Sequence, residues 1–296
     1  MLDGRAIRWG RLFGEGKAVI IAVDHGMFDG PLPGLEDLPA TVAAINPAVD
    51  AVLLAPGMLR HCGSFFAAPR RPLAVVRLNW NTVYCFDWDC RAAVSADCYS
   101  VEDALREGMD VALVSLTLHT GSEERDAQNI AIFCRLTAQA HALGLLVIGE
   151  YFPTGHLQMS PGELHDNIRI GSRIAAELGA DAIKTFYTHD FAAVTGTCPV
   201  PVLGLGAEKL PTPLDALRLA QAEVAAGAGG VVFGRNALQV GAHADITIFN
   251  PQTVADLATV NDPAQASTGI DWVLVLGKVV KHGATAEAAA FAHHLE

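Results

Sequence analysis

An α/β chain folded as a (β/α)₈, or TIM, barrel is what this sequence predicts, and three observations predict it. Short apolar runs of strand length recur eight times within the first 234 residues. Alanine-rich amphipathic stretches separate them, the alternation expected of parallel strands joined by crossover helices. No GxGxxG follows the first run, so the phosphate-binding turn of an open dinucleotide-binding sheet is missing. The 296 residues are 51% hydrophobic and 18% charged, enough to bury one barrel-sized core.

Taken in order, the expected strands are AVIIAVD (18–24), DAVLLA (50–55), LAVVRLN (73–79), DVALVSLT (110–117), LLVIGEY (145–151), DAIKT (181–185), PVLGLG (201–206) and GGVVFG (229–234). Each is apolar on both alternating sets of residues, as a strand is when helices cover one face and the barrel interior the other. The intervening helices include LEDLPATVAAI (35–45), DAQNIAIFCRLTAQAHALG (126–144), ELHDNIRIGSRIAAELGA (163–180) and TPLDALRLAQAEVAAGA (212–228). Several of these close at a glycine, which takes the left-handed cap without a Cβ clash. The aromatic segment NWNTVYCFDWDC (79–90) follows the third strand; Trp80, Tyr84, Phe86 and Trp88 suit a lid or substrate wall, but packing that seals the barrel mouth or a subunit contact is the expected role.

The pattern breaks at residue 241, where a last barrel helix is due. ADITIFNP and WVLVLGKVV read instead as strands, with a hairpin turn at Gly277-Lys278, and ATAEAAAFAHHLE is helix-prone. Two segments are therefore expected: a barrel over 1–240 and a strand-rich tail over 241–296 that replaces the last helix.

Composition excludes some partners. A net charge of −12 disfavours a nucleic-acid surface or an anionic membrane, both of which need a basic face. The apolar runs are strand-sized, so no membrane span is expected. The six cysteines include no CxxC pair, and MLDGRAIRWGRLFGEGK lacks the apolar stretch of a secretory signal. Free thiols in a reducing cytoplasm are the expectation, in a homo-oligomer.

Barrel chemistry gathers at the carboxyl ends of the strands. Those ends carry Asp24 with His25, Arg77 and Asn79, Ser115 and Thr117, Glu150 with Tyr151, Lys184, Gly204, Gly206, Gly234 and Arg235. Lys184, one of five lysines in the chain, stands out. Apolar surroundings disfavour its charged form, and a free amine attacks carbonyl carbon, which is Schiff-base chemistry. The competing reading is an ion pair with Asp24 or Glu150, and the two overlap, because a neighbouring carboxylate also positions the amine and moves protons. Gly204, Gly206, Gly230 and Gly234 with Arg235, on the last two strands, fit the place where barrels hold a phosphate. Glycines that only make tight turns are the plainer reading there, and Arg235 favours the anion.

AVDHGMFDGPLPGLEDL (22–38), DAIKTFYTHDFAAVTGTCPVPVLGLGAEK (181–209) and GVVFGRNALQ (230–239) together resemble the archaeal-type class I fructose-bisphosphate aldolases. That wider family of Schiff-base barrel aldolases also holds 2-amino-3,7-dideoxy-D-threo-hept-6-ulosonate synthase. The resemblance spans about residues 5 to 240. It implies that Lys184 is the Schiff-base lysine, that Asp24 is the active-site aspartate, and that Gly206, Ala207, Gly234 and Arg235 bind phosphate. It implies a phosphorylated keto sugar or related small carbonyl compound as substrate, with no cofactor and no metal. The family's Tyr-Pro-Arg-Gly reads Phe-Pro-Thr-Gly here, so Phe152 stands for the proton-transfer tyrosine and Thr154 for the arginine. Proton transfer then falls to Glu150 or Tyr151. GAEK, at 206–209, brings Glu208 to the edge of the phosphate positions. Residues 241–283 resemble instead the C-terminal strand segment of amidohydrolases of the N-acyl-D-amino-acid deacylase type.

Two other readings compete. Histidines 25, 119, 156 and 189 follow strands and suit a divalent-metal lyase or hydrolase, although they repeat no ligand spacing. A barrel without the tyrosine, the arginine and the last helix could also be inert, with an unclosed edge that promotes association.

Overall fold

The computed structural model describes residues 3–14, 16–69, 71–85 and 92–238, and the strand residues 246–249, 270–275, 278–282 and 285–286. In chain order the strands are β1 (Ala18–Ala22), β2 (Ala51–Leu54), β3 (Leu73–Arg77), β4 (Asn79–Asn81), β5 (Ser95–Asp97), β6 (Val111–Leu116), β7 (Leu146–Tyr151), β8 (Ala182–Phe186), β9 (Val202–Leu205) and β10 (Gly230–Phe233). Eight of them close a parallel barrel in the order β1-β10-β9-β8-β7-β6-β3-β2. The β1–β10 ladder, Ala18 opposite Gly230 through Ile21 opposite Phe233, removes the open edge that an inert barrel would leave.

Side-chain alternation along these strands builds two apolar regions. Ile20, Leu53, Leu73, Val75, Leu113, Ile148, Leu203 and Val232 fill the interior, while Val52, Leu54, Val76, Val114, Val147 and Ile183 face the helices. Each fully buried aliphatic side chain of this kind contributes roughly 1.5–3 kcal/mol. The same alternation settles which residues of each strand end point inward. Arg77 continues the parity of Leu73 and Val75, Glu150 that of Leu146 and Ile148, and Lys184 that of Ala182.

The long helices fall where the amphipathic pattern puts them: Glu123–Ala142, Pro161–Glu177 and Pro213–Ala225. Ser160 with Glu163, and Thr212 with Asp215, form reciprocal capping boxes that satisfy orphan N–H groups at two helix starts. Two features were not among the expected elements. Helix Gly4–Phe13 places Leu12 in the interior cluster, and β4 pairs antiparallel with β5. Cys62, Cys98, Cys134 and Cys198 are free thiols.

Beyond the barrel a separate antiparallel sheet runs in the order β11 (Ile246–Phe249), β12 (Ile270–Val275), β13 (Lys278–His282), β14 (Thr285–Ala286). Lys278, expected in the hairpin turn, is on β13 opposite Val275. The expected C-terminal helix is in part strand, at Thr285–Ala286, and its remainder lies outside the described residues, as do Phe86, Trp88 and the expected boundary at residue 240.

Candidate active site

Four charged side chains meet at the carboxyl end of the barrel. Lys184, on β8, is 7% exposed and ion-pairs through Nζ with Oε1 of Glu150 on the neighbouring strand β7. Arg77, at the end of β3, donates from Nε to Oδ2 of Asp24 at 2.7 Å and from Nη2 to Oε2 of Glu150 at 2.5 Å. The hydroxyl of Tyr84 also donates to Oε2 of Glu150, at 2.6 Å. Desolvating each ion costs several kcal/mol, so the cluster is tolerable only because each charge meets an opposite one.

The electrostatics follow from that pairing. Burial alone would raise the Asp24 carboxyl, but Arg77, Lys184 and His25 outweigh it and hold the group down at about 2. Glu150 is likewise lowered, because Arg77 and Lys184 overcome its desolvation. Both are carboxylates at neutral pH. Tyr84 goes the other way: burial and the adjacent Glu150 push its phenol well above the ordinary value, so it keeps its proton. His25 is brought down to about 4, by burial first and then by Arg235, Lys184 and Arg77, and is therefore neutral.

On the opposite side of Lys184 lies the mouth formed by β9 and β10. Gly206, Ala207, Gly234 and Arg235 line the same cavity as Lys184 and Asp24. A Cβ on Gly234 would sit 2.3 Å from Cε1 of His25 and 2.7 Å from the Ala22 carbonyl oxygen, so no side chain fits there. Ala207 adopts a left-handed φ of 52°, and its carbonyl oxygen accepts from Nη2 of Arg235 at 3.0 Å. Asn236, unnoticed in the sequence, pins this loop by donating to the carbonyls of Gly206 (2.6 Å) and Glu208 (3.0 Å) while accepting from Leu210 N–H (2.7 Å). The Gly206 amide is already bonded to Val232, so Gly206 provides room, not a free donor.

Three expected site residues are elsewhere. Tyr151 follows Glu150 by one residue, so strand alternation turns it outward; its ring covers Gly171, and its hydroxyl donates to Asn167 at 2.6 Å. Gly204 also faces outward, leaving space for Glu223, whose Cδ lies 2.1 Å from where a Cβ would be. Gly230 opens its strand at the far end of the barrel, where a Cβ would lie 2.1 Å from the Ala18 carbonyl oxygen; it permits closure of the ladder and is remote from the cavity.

The aromatic segment needs correction too. Tyr84, expected only to pack, lines the cavity with Phe28, Phe152, His156 and Phe186. Its ring and that of Phe28 lie 4.8 and 5.1 Å from the Arg77 guanidinium carbon. Nothing local marks Tyr84 for this place, since the β4–β5 return carries it there.

The histidines do not converge. His119 meets Asn167, and His165 and His189 face each other away from His25 and His156. Among the described residues no three His, Cys, Asp or Glu side chains are grouped to hold a metal ion. No helix among them is long and apolar enough to cross a membrane.

The family described as DeoC/LacD family aldolase matches residues 18–240. An uncharacterized aldolase of Saccharolobus solfataricus is 30% identical over 242 residues, covering 80% of this chain and 89% of that protein. The 3-hydroxy-5-phosphonooxypentane-2,4-dione thiolase of Klebsiella pneumoniae is 31% identical over 242 residues, covering 80% and 76%. Among solved structures, an archaeal fructose 1,6-bisphosphate aldolase superposes with a TM-score of 0.65 at 25% identity, over 79% of this chain and 92% of that one. Another archaeal fructose-1,6-bisphosphate aldolase, with its catalytic lysine covalently bound to the carbinolamine intermediate, gives 0.65 at 26% identity with the same coverage.

Proposed function

The chain belongs to the DeoC/LacD family of aldolases and is a lyase of the class I, Schiff-base kind; from that premise we propose that Lys184 is the amine that forms the imine. One observation supports this above the others: a buried lysine whose Nζ touches a buried carboxylate, Glu150, inside a cavity open to a small molecule.

The Lys184 amine, once its proton has passed to Glu150, adds to a ketone carbon to give a carbinolamine. Loss of water then gives an iminium ion. In the cleavage direction, a base takes the proton from the hydroxyl β to the iminium carbon. The carbon–carbon bond breaks, an aldehyde leaves, and its electron pair neutralises the iminium as an enamine. Protonation at carbon and addition of water then release the ketone and restore the amine. Asp24 and Glu150, ionised at neutral pH, accept protons in this sequence, and the Tyr84 hydroxyl, hydrogen-bonded to Glu150, replaces Tyr151 as the phenol at the site.

The substrate is a phosphorylated keto sugar or a related small carbonyl compound. The relatives named above for a substrate act on phosphorylated ketones or diketones, and the loop of Gly206, Ala207, Gly234 and Arg235 supplies an anion-sized opening beside a guanidinium. Lys184→Ala tests the reading: cleavage should fall by on the order of a thousandfold or more, while the barrel stays folded. A variant that retains turnover would exclude the imine.

A further inference from the structure

The cavity has two chemically different ends, and they flank Lys184. On the β9 and β10 side are small residues and Arg235. Around the rest of the mouth runs an unbroken series of rings, from the turn after β1 (Phe28), the turn after β4 (Tyr84), the segment after β7 (Phe152, His156) and the end of β8 (Phe186). Phe28 lies tilted against Tyr84 with centroids 4.6 Å apart, Tyr84 against Phe152 at 4.6 Å, Phe152 edge-on to Phe186 at 4.8 Å, and Phe186 tilted against His156 at 5.0 Å. All five line the cavity.

Charge distinguishes this end further. The cation on it is Arg77, whose guanidinium is already bonded to both Asp24 and Glu150. His156, half-buried beside Phe152 and Phe186, is held below its ordinary value by desolvation, with the Glu208 carboxylate acting against it. Asp29 lines the cavity too, and Glu208 does so from the loop that carries Ala207. A phosphate placed among the rings would lose its hydration and face the carboxylates of Asp24 and Glu150, to which Arg77 is already paired through Nε and Nη2. An apolar ring would instead bury its surface against this aromatic wall.

We infer that the aldehyde half of the reaction is uncharged and aromatic, seated on the rings of Phe28, Tyr84, Phe152, Phe186 and His156, while the ketone half carries the phosphate at the glycine end. This rests on Lys184 forming the imine. In the synthetic direction the enamine carbon of the Lys184 adduct attacks the aldehyde carbon. The new carbon–carbon bond forms, the carbonyl π pair moves to oxygen, that oxygen takes a proton, and water then hydrolyses the iminium. No oxidant or further reactant is needed.

The test has two stages. The wild-type protein is first reduced with borohydride in the presence of dihydroxyacetone phosphate, dihydroxyacetone, hydroxyacetone or pyruvate, and the ketone that modifies Lys184 is taken as donor. With that donor, aldol addition is measured for benzaldehyde, D-glyceraldehyde and D-glyceraldehyde 3-phosphate. The expected result is a kcat/KM for benzaldehyde at least tenfold above that for D-glyceraldehyde 3-phosphate, with D-glyceraldehyde between them. A smaller preference, or any preference for the phosphorylated aldehyde, overturns the aromatic aldehyde site and leaves the imine standing. Failure of every ketone to modify Lys184 removes the imine, and the aldehyde site with it.

Discussion

Glu150 accepts from Lys184, Arg77 and Tyr84 at once, and that convergence makes a single carboxylate the junction between the amine and a phenol. Its Oε2 is shared by a permanent cation and a group that keeps its proton, while Oε1 faces the lysine. Removing the Tyr84 hydroxyl should therefore slow proton movement without removing the nucleophile. Tyr84→Phe is expected to lower kcat by about a hundredfold, the lower range for one general acid–base group, while borohydride still attaches a ketone to Lys184. An unchanged kcat would leave Tyr84 only packing. Lys184, Asp24 and Glu150 were readable in the sequence, because they end apolar runs whose parity places them inside. Parity also separates Glu150 from Tyr151, since adjacent strand residues face opposite ways. Tyr84 was not readable, because a loop return brings it to the cavity and neither periodicity nor a motif encodes that return.

Elements position this chemistry through close approach, and two contacts expose how. The turn after β10 brings its backbone against His25, with no room for a methyl group at Gly234. Gly234→Ala should cost about 1–3 kcal/mol, the usual penalty for overpacking, and should displace His25 from the cavity wall. A full-strength thermal transition with intact activity would contradict that. The second contact is helix Pro213–Ala225 against β9, where Glu223 is fully buried over Gly204 with both carboxyl oxygens unpartnered. Burial raises its ionisation from 4.5 to about 9. The folded state therefore holds a proton that the unfolded chain releases above 4.5. The contribution to stability is full below 4.5 and is lost as the pH rises towards 9, by about 1.4 kcal/mol per pH unit. Glu223→Met, similar in volume and without a titrating group, should unfold at a higher temperature than wild type, with a gap that widens from pH 5 to pH 8. A gap independent of pH would mean that the carboxyl is solvated. The sequence offered Gly204 as a phosphate position because it ends an apolar run; the helix covering it becomes visible only in three dimensions.

For the whole molecule, the barrel was legible because each of its eight strands repeats the same physical problem, an apolar segment that must be covered on both faces. The β4–β5 pair was not, since two three-residue strands gain their structure from packing on the barrel. Closure of β1 on β10 draws strands from both ends of the barrel segment around one cavity, so a single amine on β8 faces carboxylates from β7 and from the turn after β1. The most direct measurement of that arrangement is reduction of the protein by borohydride with a phosphorylated ketone, followed by peptide mass mapping. The account predicts one stoichiometric adduct, on Lys184, blocked by prior binding of inorganic phosphate at high concentration. Adducts distributed over Lys17 and Lys209, or absent from Lys184, would contradict it.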